Sequence, residues 1–312
     1  MTPPTVLDIF CGVGGISKGF QNAGFKVVLG IDLDQYSIGI FKKQFPKASV
    51  IIDDIKNITA NRILKELNDK KIDVLVGGPP CQGFSIAGRR RHDDPRNTLF
   101  YEFVRIAKEL MPSWIFIENV RGLASAKMPN GKNALKEIYD SFSPEFKLKH
   151  FPVNAADFGV PQKRNRIIII GNSLGIDFEF NSPNTKPIPV GKVLSDKNRI
   201  DKKYFYSKKL IEGFLRRERV NRERGWGFRW QFLKANQQSY TIPARYWKDG
   251  ANALVRYSEN EIRMLTEKEC ARVQGLDSRF FGSGRKSYIA IGNAVPPQLV
   301  QPFAQRILSY GF

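Results

Sequence analysis

The chain has 312 residues, 42% of them hydrophobic, and its 50 Lys and Arg exceed its 30 Asp and Glu to give a formal net charge of +20. That length is sufficient for one large domain or two smaller ones with a substantial core. Three cysteines without a CxxC pair, together with two histidines, predict neither a disulfide framework nor a metal site. No apolar run reaches the length of a membrane span and no signal peptide is recognisable, so we expect a cytoplasmic protein without a membrane partner.

The first half of the chain alternates predicted strands and helices. Apolar, β-branched runs predict strands at 6–10, 26–31, 49–52, 72–76, 114–118, 146–153 and 166–171. Helical periodicity ended by Gly or Pro predicts helices at 14–23, 35–44, 61–68, 98–110 and 132–141. This alternation is typical of a doubly wound α/β fold with a mostly parallel sheet.

After residue 171 the alternation stops. Residues 172–260 are rich in Pro, Asn, Lys, Arg and aromatic side chains, and 181–187 has the composition of a linker. Helical character returns at 266–274, 289–298 and 302–308. We therefore predict a first domain at 1–180 that is completed by 281–312, and a smaller domain with its hinge at 181–280.

Half of the positive charge excess lies within this smaller domain. Residues 186–234 contain fifteen Lys or Arg against five Asp or Glu, a net charge of +10. The alternative is the solvated surface of a thermally robust protein, but such a surface would match its lysines with glutamates. We predict instead that the segment faces a nucleic acid.

A glycine-rich turn joins the first predicted strand to the first predicted helix. In residues 8–15 (DIFCGVGG), the glycines allow a ligand to approach the backbone at the amino end of the helix. The spacing is Gly-x-Gly-Gly rather than G-x-G-x-x-G, and Asp8 would repel a pyrophosphate, which disfavours a dinucleotide. A tight connection without a ligand is the alternative, whereas a carboxylate at this point suits a positively charged ligand.

Two further carboxylates follow predicted strands. Asp32, at the end of the second strand, is placed to accept both hydroxyls of a ribose, and Asp54, after the third strand, to accept from an adenine amino group. Ribose, adenine and a cation with a free amino group together describe S-adenosylmethionine.

The fourth predicted strand ends in the sequence Gly-Gly-Pro-Pro-Cys-Gln at residues 77–82. Two consecutive prolines cannot continue a strand ladder, so the chain must leave the sheet and present Cys81 at the carboxyl edge, where open α/β sheets bind ligands. A thiol in that place is a candidate nucleophile. A buried cysteine after a turn is the alternative that this local pattern leaves open.

Seven segments of the chain resemble motifs of the cytosine-5 DNA methyltransferase family, of the prokaryotic restriction-modification type. In the order of the family they are 8–15 with Phe20, 77–85 (GGPPCQGFS), 97–100 (NTLF), 118–120 (ENV), 162–166 (QKRNR), 263–275 and 292–296 (GNAVP). The resemblance implies an S-adenosylmethionine-dependent methyltransferase fold, which is α/β and Rossmann-like, with a mostly parallel sheet and helices on both faces. It also implies a small target-recognition domain between the eighth and ninth motifs, where the charge excess lies.

The resemblance implies that Cys81 adds to carbon 6 of cytosine, which makes carbon 5 nucleophilic enough to accept a methyl group. Glu118 would protonate or hydrogen-bond ring nitrogen 3, a role that requires a carboxyl group protonated near neutral pH, which burial can provide. Arg166 would contact the cytosine carbonyl oxygen, and Arg164 would steady the nucleophile and the backbone. A helix cap for Glu118 and a surface basic cluster for the arginines are the alternatives. The sequence names no base that removes the carbon 5 proton.

The residues that match the family's cofactor contacts are Phe10, Gly12, Gly14, Gly15, Asp32, Asp54, Ile55, Pro79, Leu99, Asn293 and Val295. One departure is Asp32-Leu33, where many members have Glu followed by an aromatic residue. Adenine then lacks a stacking partner, so we expect weaker cofactor binding or a compensating contact.

A cytosine inside a duplex is out of reach of this chemistry, so the base must be flipped out. Candidate contacts to double-stranded DNA are Gln82, Ser85, Arg89, Arg90, Arg229, Thr241 and Arg245. The resemblance further implies a monomer that acts on DNA in the cytoplasm, in association with the nucleoid, and a cognate endonuclease that does not bind it physically. The alternatives are a tRNA methyltransferase and a non-catalytic DNA-binding relative. The first is disfavoured because the relatives that act on tRNA carry a Cys-Phe-Thr motif in the small domain, whereas no cysteine lies between residues 82 and 269 of this chain.

Overall fold

A computed structural model describes residues 2–80, 99–127, 131–183, 185–225, 230–249 and 251–312. Its main sheet has seven strands, in the order β3-β2-β1-β4-β5-β7-β6. The strands are β1 Thr5–Ile9, β2 Lys26–Asp32, β3 Ser49–Ile52, β4 Val74–Gly77, β5 Trp114–Val120, β6 Lys147–Asn154 and β7 Asn165–Asn172. Each begins and ends within two residues of its predicted bounds. The mostly parallel α/β fold is thereby confirmed.

One strand of the sheet runs against the others. β7 is antiparallel to both of its neighbours, β5 and β6, whereas β1 to β5 pair in parallel. The register places Arg166 opposite Val120 and Ile168 opposite Glu118. Because of this reversal, the amino end of β7 lies beside the carboxyl end of β5, and side chains of both strands reach the same edge of the sheet.

Helices cover both faces of the sheet, as predicted. The described helices are α1 Gly15–Asn22, α2 Gln35–Gln44, α3 Ala60–Glu66, α4 Leu99–Leu110, α5 Ala134–Phe142, α6 Lys208–Glu223, α7 Tyr246–Asp249, α8 Glu267–Val273, α9 Arg285–Asn293 and α10 Pro297–Tyr310. Val74 and Val76 of β4 pack with α1 and α10, while Leu75 faces the opposite core formed with α3, α4 and α5. Strands buried on both faces are apolar at every position, which explains the continuous apolar runs of the sequence.

The carboxyl-terminal helices differ from the prediction. A helix over 289–298 is wrong, because α9 ends at Asn293 and α10 begins at Pro297. Ala294 and Pro296 are extended, and Pro296 stands directly before Pro297, a position that disfavours the helical region. Pro297 starts α10, a position that proline favours, and Pro302 lies inside the helix instead of opening it.

The segment 172–260 contains a helix that the sequence did not reveal. Of the sixteen residues of α6, only Ile211 and Asn221 are buried, and its helically spaced apolar residues Leu210, Ile211, Phe214 and Leu215 lie in the first half of the helix. It packs against the hairpin of β8 Val255–Ser258 and β9 Glu261–Arg263 through a small cluster that includes Trp230. The division of the chain at residues 181 and 280 stays a prediction. Within the described ranges, no helix combines the length and the apolar character needed to cross a membrane.

A fully buried ion pair joins β9 to α8. Arg263 and Glu269 have no exposed side-chain surface, and two bonds of 2.8 and 3.0 Å link the guanidinium to the carboxylate. The same carboxylate accepts from the backbone N–H groups of Ser195 and Thr266. Every carboxylate oxygen is thus satisfied, and removal of the charge would leave Arg263 buried without its counter-ion.

We expect Glu269→Gln to destabilise the protein by about 3–5 kcal/mol, the usual result of breaking a buried pair from one side. The matched control is Glu261→Gln, which removes the exposed partner of Lys197, at a distance of 2.6 Å, and should cost less than about 1 kcal/mol. Denaturant unfolding of both variants measures the difference. Equal losses of stability in the two variants would show that burial of the Arg263–Glu269 pair does not increase its contribution to the free energy of unfolding.

Candidate active site

A cavity of 1040 Å³ opens at the carboxyl ends of β1, β4 and β5. Strands β1 and β4 are neighbours in the sheet but not in the sequence, so this is the point where the strand order reverses and where such sheets bind ligands. The predicted residues that line it are Phe10, Gly12, Gly15, Asp32, Asp54, Ile55, Pro79, Leu99, Glu118, Arg164, Arg166, Arg245, Asn293 and Val295. The fold therefore brings predicted cofactor and catalytic residues into one space.

The turn after β1 has a constrained backbone. Phe10 has φ 60°, a left-handed conformation that is rare for a bulky side chain and is found mostly where surrounding structure enforces it. Asp32 holds the turn, since its Oδ2 accepts from the Gly12 N–H at 2.8 Å while its Oδ1 accepts from the Asp34 N–H at 2.8 Å. Burial raises the pKa of Asp32. Each of its two oxygens has one further lone pair, so the carboxylate can accept one hydrogen bond from each of the two hydroxyls of a ribose.

The glycines of this turn serve packing as well as the cavity. A Cβ on Gly15 would lie 2.0 Å from the Val295 carbonyl oxygen, and a Cβ on Gly14 would lie 2.4 Å from the ring of Phe45. Gly14 does not line the cavity, whereas Gly12 does, and a Cβ there would meet nothing within 4 Å. Gly15 consequently fixes how closely the amino end of α1 approaches the segment 293–296.

We expect Gly15→Ala to destabilise the protein by about 1–3 kcal/mol through this overpacking and to weaken cofactor binding, because both sides of the contact line the cavity. Gly39→Ala in α2 is the control, since nothing lies within 4 Å of its Cβ position. That change should stabilise the helix by about 0.5–1 kcal/mol. Thermal unfolding measures the stability of both variants, and calorimetric titration with S-adenosylmethionine measures their cofactor binding. Unchanged binding in Gly15→Ala would contradict the expected role of this contact in the cofactor site.

Asp8 does not face the ligand, so the argument from its charge was wrong. Its side chain is fully buried beneath α1, with Oδ2 accepting from the Ser17 hydroxyl at 2.6 Å. Burial raises the pKa of Asp8 to about 7. The side chain points to the helix because successive residues of a strand alternate between faces, a direction that the sequence pattern alone did not reveal.

Another part of the cavity wall is formed by the residues that follow β3. Asp54 lines the cavity, and its Oδ1 caps the short 3-10 turn 55–57 by accepting from the Lys56 N–H at 3.0 Å. The adjacent Asp53 forms an ion pair with Arg62 at 2.6 Å. Ile55 and Leu99 add apolar surface to the same wall. This combination of a carboxylate and aliphatic side chains fits a purine with an exocyclic amino group.

Glu118 and Arg166 form a polar part of the cavity wall, at the carboxyl end of β5 and the amino end of β7. Arg166 Nε lies 2.7 Å from Glu118 Oε1, and only 12% and 10% of the two side chains are exposed. Glu118 also reaches the exit of β4, where a Cβ on Gly78 would be 3.6 Å from its Oε2. Next to it, Asn119 donates from Nδ2 to the Pro79 carbonyl at 3.0 Å. The end of β5 thus positions both a carboxyl group and the chain that leads to Cys81.

Arg164 is almost completely buried, with 3% exposure, and has carbonyl partners instead of a carboxylate. Its guanidinium donates to the carbonyl oxygens of Gly292 and Ala294 at 3.0 and 3.1 Å and lies 3.5 Å from that of Ile242. Burial, reinforced by the charge of Arg166, lowers its pKa. Arg164 therefore holds backbone segments together at the edge of the cavity.

The predicted DNA contacts fall partly on the described residues. Cys81, Gln82, Ser85, Arg89, Arg90 and Arg229 lie outside the described residues. Thr241 does not line the cavity, and its Oγ1 donates to the Lys163 carbonyl at 2.7 Å. Arg245 does line it, directly after Pro243 and Ala244. Of the candidate DNA contacts, the structure brings Arg245 to the cavity.

Several polar residues of the cavity wall were not assigned to the site from the sequence. Tyr36 lies in the first turn of α2, and its hydroxyl is 2.6 Å from that of Ser287. Others are Asp34, Ser37, Asp53, Lys56, Asn119 and Lys286, the last in the first turn of α9. A helix that begins directly after the carboxyl end of a strand presents its first turn to the ligand edge, and that rule would have identified Tyr36.

A model of the family described as C-5 cytosine-specific DNA methylase matches residues 4–309. The chain is 32% identical to the Type II methyltransferase M1.HphI of Haemophilus parahaemolyticus over 97% of this chain and 86% of that protein. It is 33% identical to the Type II methyltransferase M1.ScrFI of Lactococcus lactis subsp. cremoris, over 97% of this chain and 77% of that protein.

The fold is likewise that of solved methyltransferases. The Entamoeba histolytica methyltransferase EhMeth superposes with a TM-score of 0.77 at 18% identity, covering 99% of both chains. The Dnmt2 methyltransferase of S. pombe gives a TM-score of 0.75 at 17% identity, covering 99% of this chain and 100% of that one.

Proposed function

Since the chain belongs to the family of C-5 cytosine-specific DNA methylases, of the Type II restriction-modification kind, we propose that it methylates a flipped cytosine through a covalent Cys81 adduct. The methyl donor is S-adenosylmethionine, and the target is carbon 5 of a cytosine in a short duplex sequence. The observation that carries the proposal is the shared cavity, whose lining includes a first wall with Asp32 and Asp54 and a second wall with the pair Glu118–Arg166.

The residues of the first wall fit this methyl donor. Asp32 accepts the ribose hydroxyls, Asp54 accepts from the adenine amino group, and Phe10 packs on the ring. Leu33 is 67% exposed, which leaves one side of the adenine uncovered. Tyr36 also lines the cavity and is the aromatic side chain of α2 that could compensate for Leu33. When bound, S-adenosylmethionine provides an electrophilic methyl group on its sulfonium.

The residues of the second wall fit the activation of cytosine. The Cys81 thiolate forms a bond to carbon 6, and the electron pair of the ring becomes available at carbon 5. Glu118 stabilises the charge that develops at ring nitrogen 3, and Arg166 fixes that carboxyl group while its remaining N–H groups face the cytosine carbonyl oxygen. Carbon 5 then takes up the methyl group, and S-adenosylhomocysteine leaves. A base or water accepts the carbon 5 proton, the electron pair of that C–H bond restores the ring double bond, and Cys81 departs as the thiolate.

The partner is double-stranded DNA, and the basic segment 186–234 is its docking face. Exposed arginines of α6, including Arg216 and Arg219, add sequence-independent attraction to phosphates. The enzyme acts as a monomer on DNA in the cytoplasm, associated with the nucleoid. A cognate endonuclease cleaves the unmethylated site without binding this chain.

We expect log Kd for DNA to depend steeply on log salt concentration, by about 0.9 per phosphate contacted. The double variant Arg216→Gln with Arg219→Gln should reduce this slope by about 1 for each phosphate that is no longer neutralised. Its control, matched in charge, is Lys147→Gln with Lys149→Gln on the edge strand β6, where the lysines pair with Asp177 and Glu179. Fluorescence anisotropy over a salt series measures the slopes, and equal reductions would exclude α6 as part of the docking face.

Bisulfite sequencing of DNA from cells that express the protein tests the function itself. The expected result is protection of cytosines at one short sequence, absent from cells that carry the empty vector. The method reports the methylated carbon and the flanking bases together. An unmodified genome, or methylation of tRNA alone, would overturn the proposal.

A further inference from the structure

Two fully buried amides lie where four distant parts of the chain meet. Gln162 and Gln274 have no exposed surface, and neither is needed for the chemistry proposed above. Four segments surround them: residues 161–164 before β7, residues 239–242 before α7, residues 273–274 at the end of α8 and residues 292–294 at the end of α9. Buried amides are retained only where both of their ends find partners.

The two amides form one continuous line of hydrogen bonds. The Ile242 N–H donates to Gln162 Oε1 at 3.3 Å, and Gln162 Nε2 donates to Gln274 Oε1 at 2.6 Å. Gln274 Nε2 in turn donates to the Ala294 carbonyl at 2.5 Å. Each amide accepts a hydrogen bond through Oε1 from one neighbour and donates one through Nε2 to the next. The line therefore connects the backbone at residue 242 to the backbone at residue 294.

Backbone contacts reinforce this connection. A Cβ on Gly292 would lie 2.3 Å from the Ala244 nitrogen, so the two segments touch main chain to main chain. Arg164 bridges the same segments through carbonyls on both sides. Well-packed contacts of this kind have discrete arrangements and do not deform gradually.

The connected segments line different parts of the cavity. Residues 243–245, which follow Ile242 directly, include the DNA candidate Arg245, and Asn293 and Val295 belong to the cofactor wall. Val295 also abuts Gly15 at the amino end of α1. A displacement of 242–245 would therefore be passed to Asn293 and Val295 through the amide line, alongside the contacts of Arg164 and Gly292.

We propose that Gln162 and Gln274 are positioning residues that couple DNA binding to cofactor binding. The proposal rests on the function proposed above, because it requires both ligands. By linkage, DNA raises the affinity for the cofactor by the same factor by which the cofactor raises the affinity for DNA.

The test uses S-adenosylhomocysteine as a non-reactive probe and a duplex carrying the sequence found by bisulfite sequencing. For the wild-type protein we expect the Kd of the probe to fall about tenfold when the duplex is saturating. In Gln162→Met and in Gln274→Met this factor should fall towards one, while the Kd without DNA stays close to that of the wild type. The KM for the methyl donor at saturating DNA should rise by the same factor, with a smaller change in kcat.

Gln298→Met is the matched control. This exposed glutamine donates to the Gly275 carbonyl at 3.1 Å, close in sequence to Gln274 but outside the line, so its coupling factor should remain that of the wild type. Gln162→Glu is the second variant should a methionine variant fail to fold, because it keeps the acceptor for Ile242 and removes the donor to Gln274.

A coupling factor near one in the wild type, or an unchanged factor in the variants, would overturn the proposal even if the enzyme methylates DNA. A wild-type protein that transfers no methyl group at all would instead refute the proposed function. The two failures are therefore separated by the wild-type activity.

Discussion

Replacing Cys81 with alanine is expected to abolish methyl transfer, with a reduction on the order of 10⁴-fold or more in kcat, the scale seen when a nucleophile is removed from a catalytic unit. Without a sulfur–carbon bond at carbon 6, carbon 5 remains too weak a nucleophile to accept a methyl group. Duplex binding and cofactor binding should persist, since neither requires the thiol.

The position of Cys81 follows from the residues before it. β4 ends at Gly77, and Gly78, Pro79 and Pro80 line the cavity in succession. Asn119 holds the Pro79 carbonyl, so the chain is fixed to the end of β5 two residues before the cysteine. The residue that follows Pro80 is the proposed nucleophile.

The other two thiols are poor candidates for the same role. Burial raises the pKa of both Cys11 and Cys270, which disfavours the thiolate. Cys270→Ala is therefore the control, and it should retain methyl transfer. A duplex containing 5-fluorocytosine should trap a protein adduct with the wild type and with Cys270→Ala, but not with Cys81→Ala. Full activity in Cys81→Ala, or no adduct with the wild type, would refute the covalent mechanism.

The sheet could be predicted from the sequence because its strands are buried on both faces. A run such as residues 167–170, all isoleucine and bounded by Arg166 and Gly171, is typical of a short strand that is buried on both faces. The direction of that strand was not predictable, since parallel and antiparallel neighbours bury the same side chains. Yet the reversal of β7 is what brings Arg166 to Glu118.

The residues missed or misplaced share one property, which is that tertiary contacts decide their roles. Asp8 was expected to face the ligand and instead binds Ser17 beneath α1. Gly15 resembled a ligand-binding glycine, and the structure adds a steric requirement imposed by Val295. α6 packs on a hairpin more than 30 residues later, and only the first half of its mostly charged sequence carries helically spaced apolar residues.

Replacing Glu118 with glutamine is expected to lower kcat by about 10²–10⁴-fold, the contribution of a positioned acid or base. The amide has nearly the shape of the carboxyl group but cannot exchange a proton with ring nitrogen 3. It also removes the negative partner that lies 2.7 Å from Arg166 Nε and fixes that guanidinium at the cavity wall. Cofactor affinity should change little, because the residues proposed to bind ribose and adenine, Asp32 and Asp54, follow β2 and β3 and not β5.

Single-turnover methyl transfer with saturating duplex and methyl donor measures this decrease without interference from product release. The control is Glu109→Gln on α4, which changes an exposed pair with Arg105 at 3.1 Å and should leave the rate constant as it is. If Glu118→Gln transferred methyl groups at the wild-type rate, proton donation by Glu118 would be excluded. Adduct formation slowed together with methyl transfer would place Glu118 at the attack of Cys81 on carbon 6, because nitrogen 3 gains its electron density in that step.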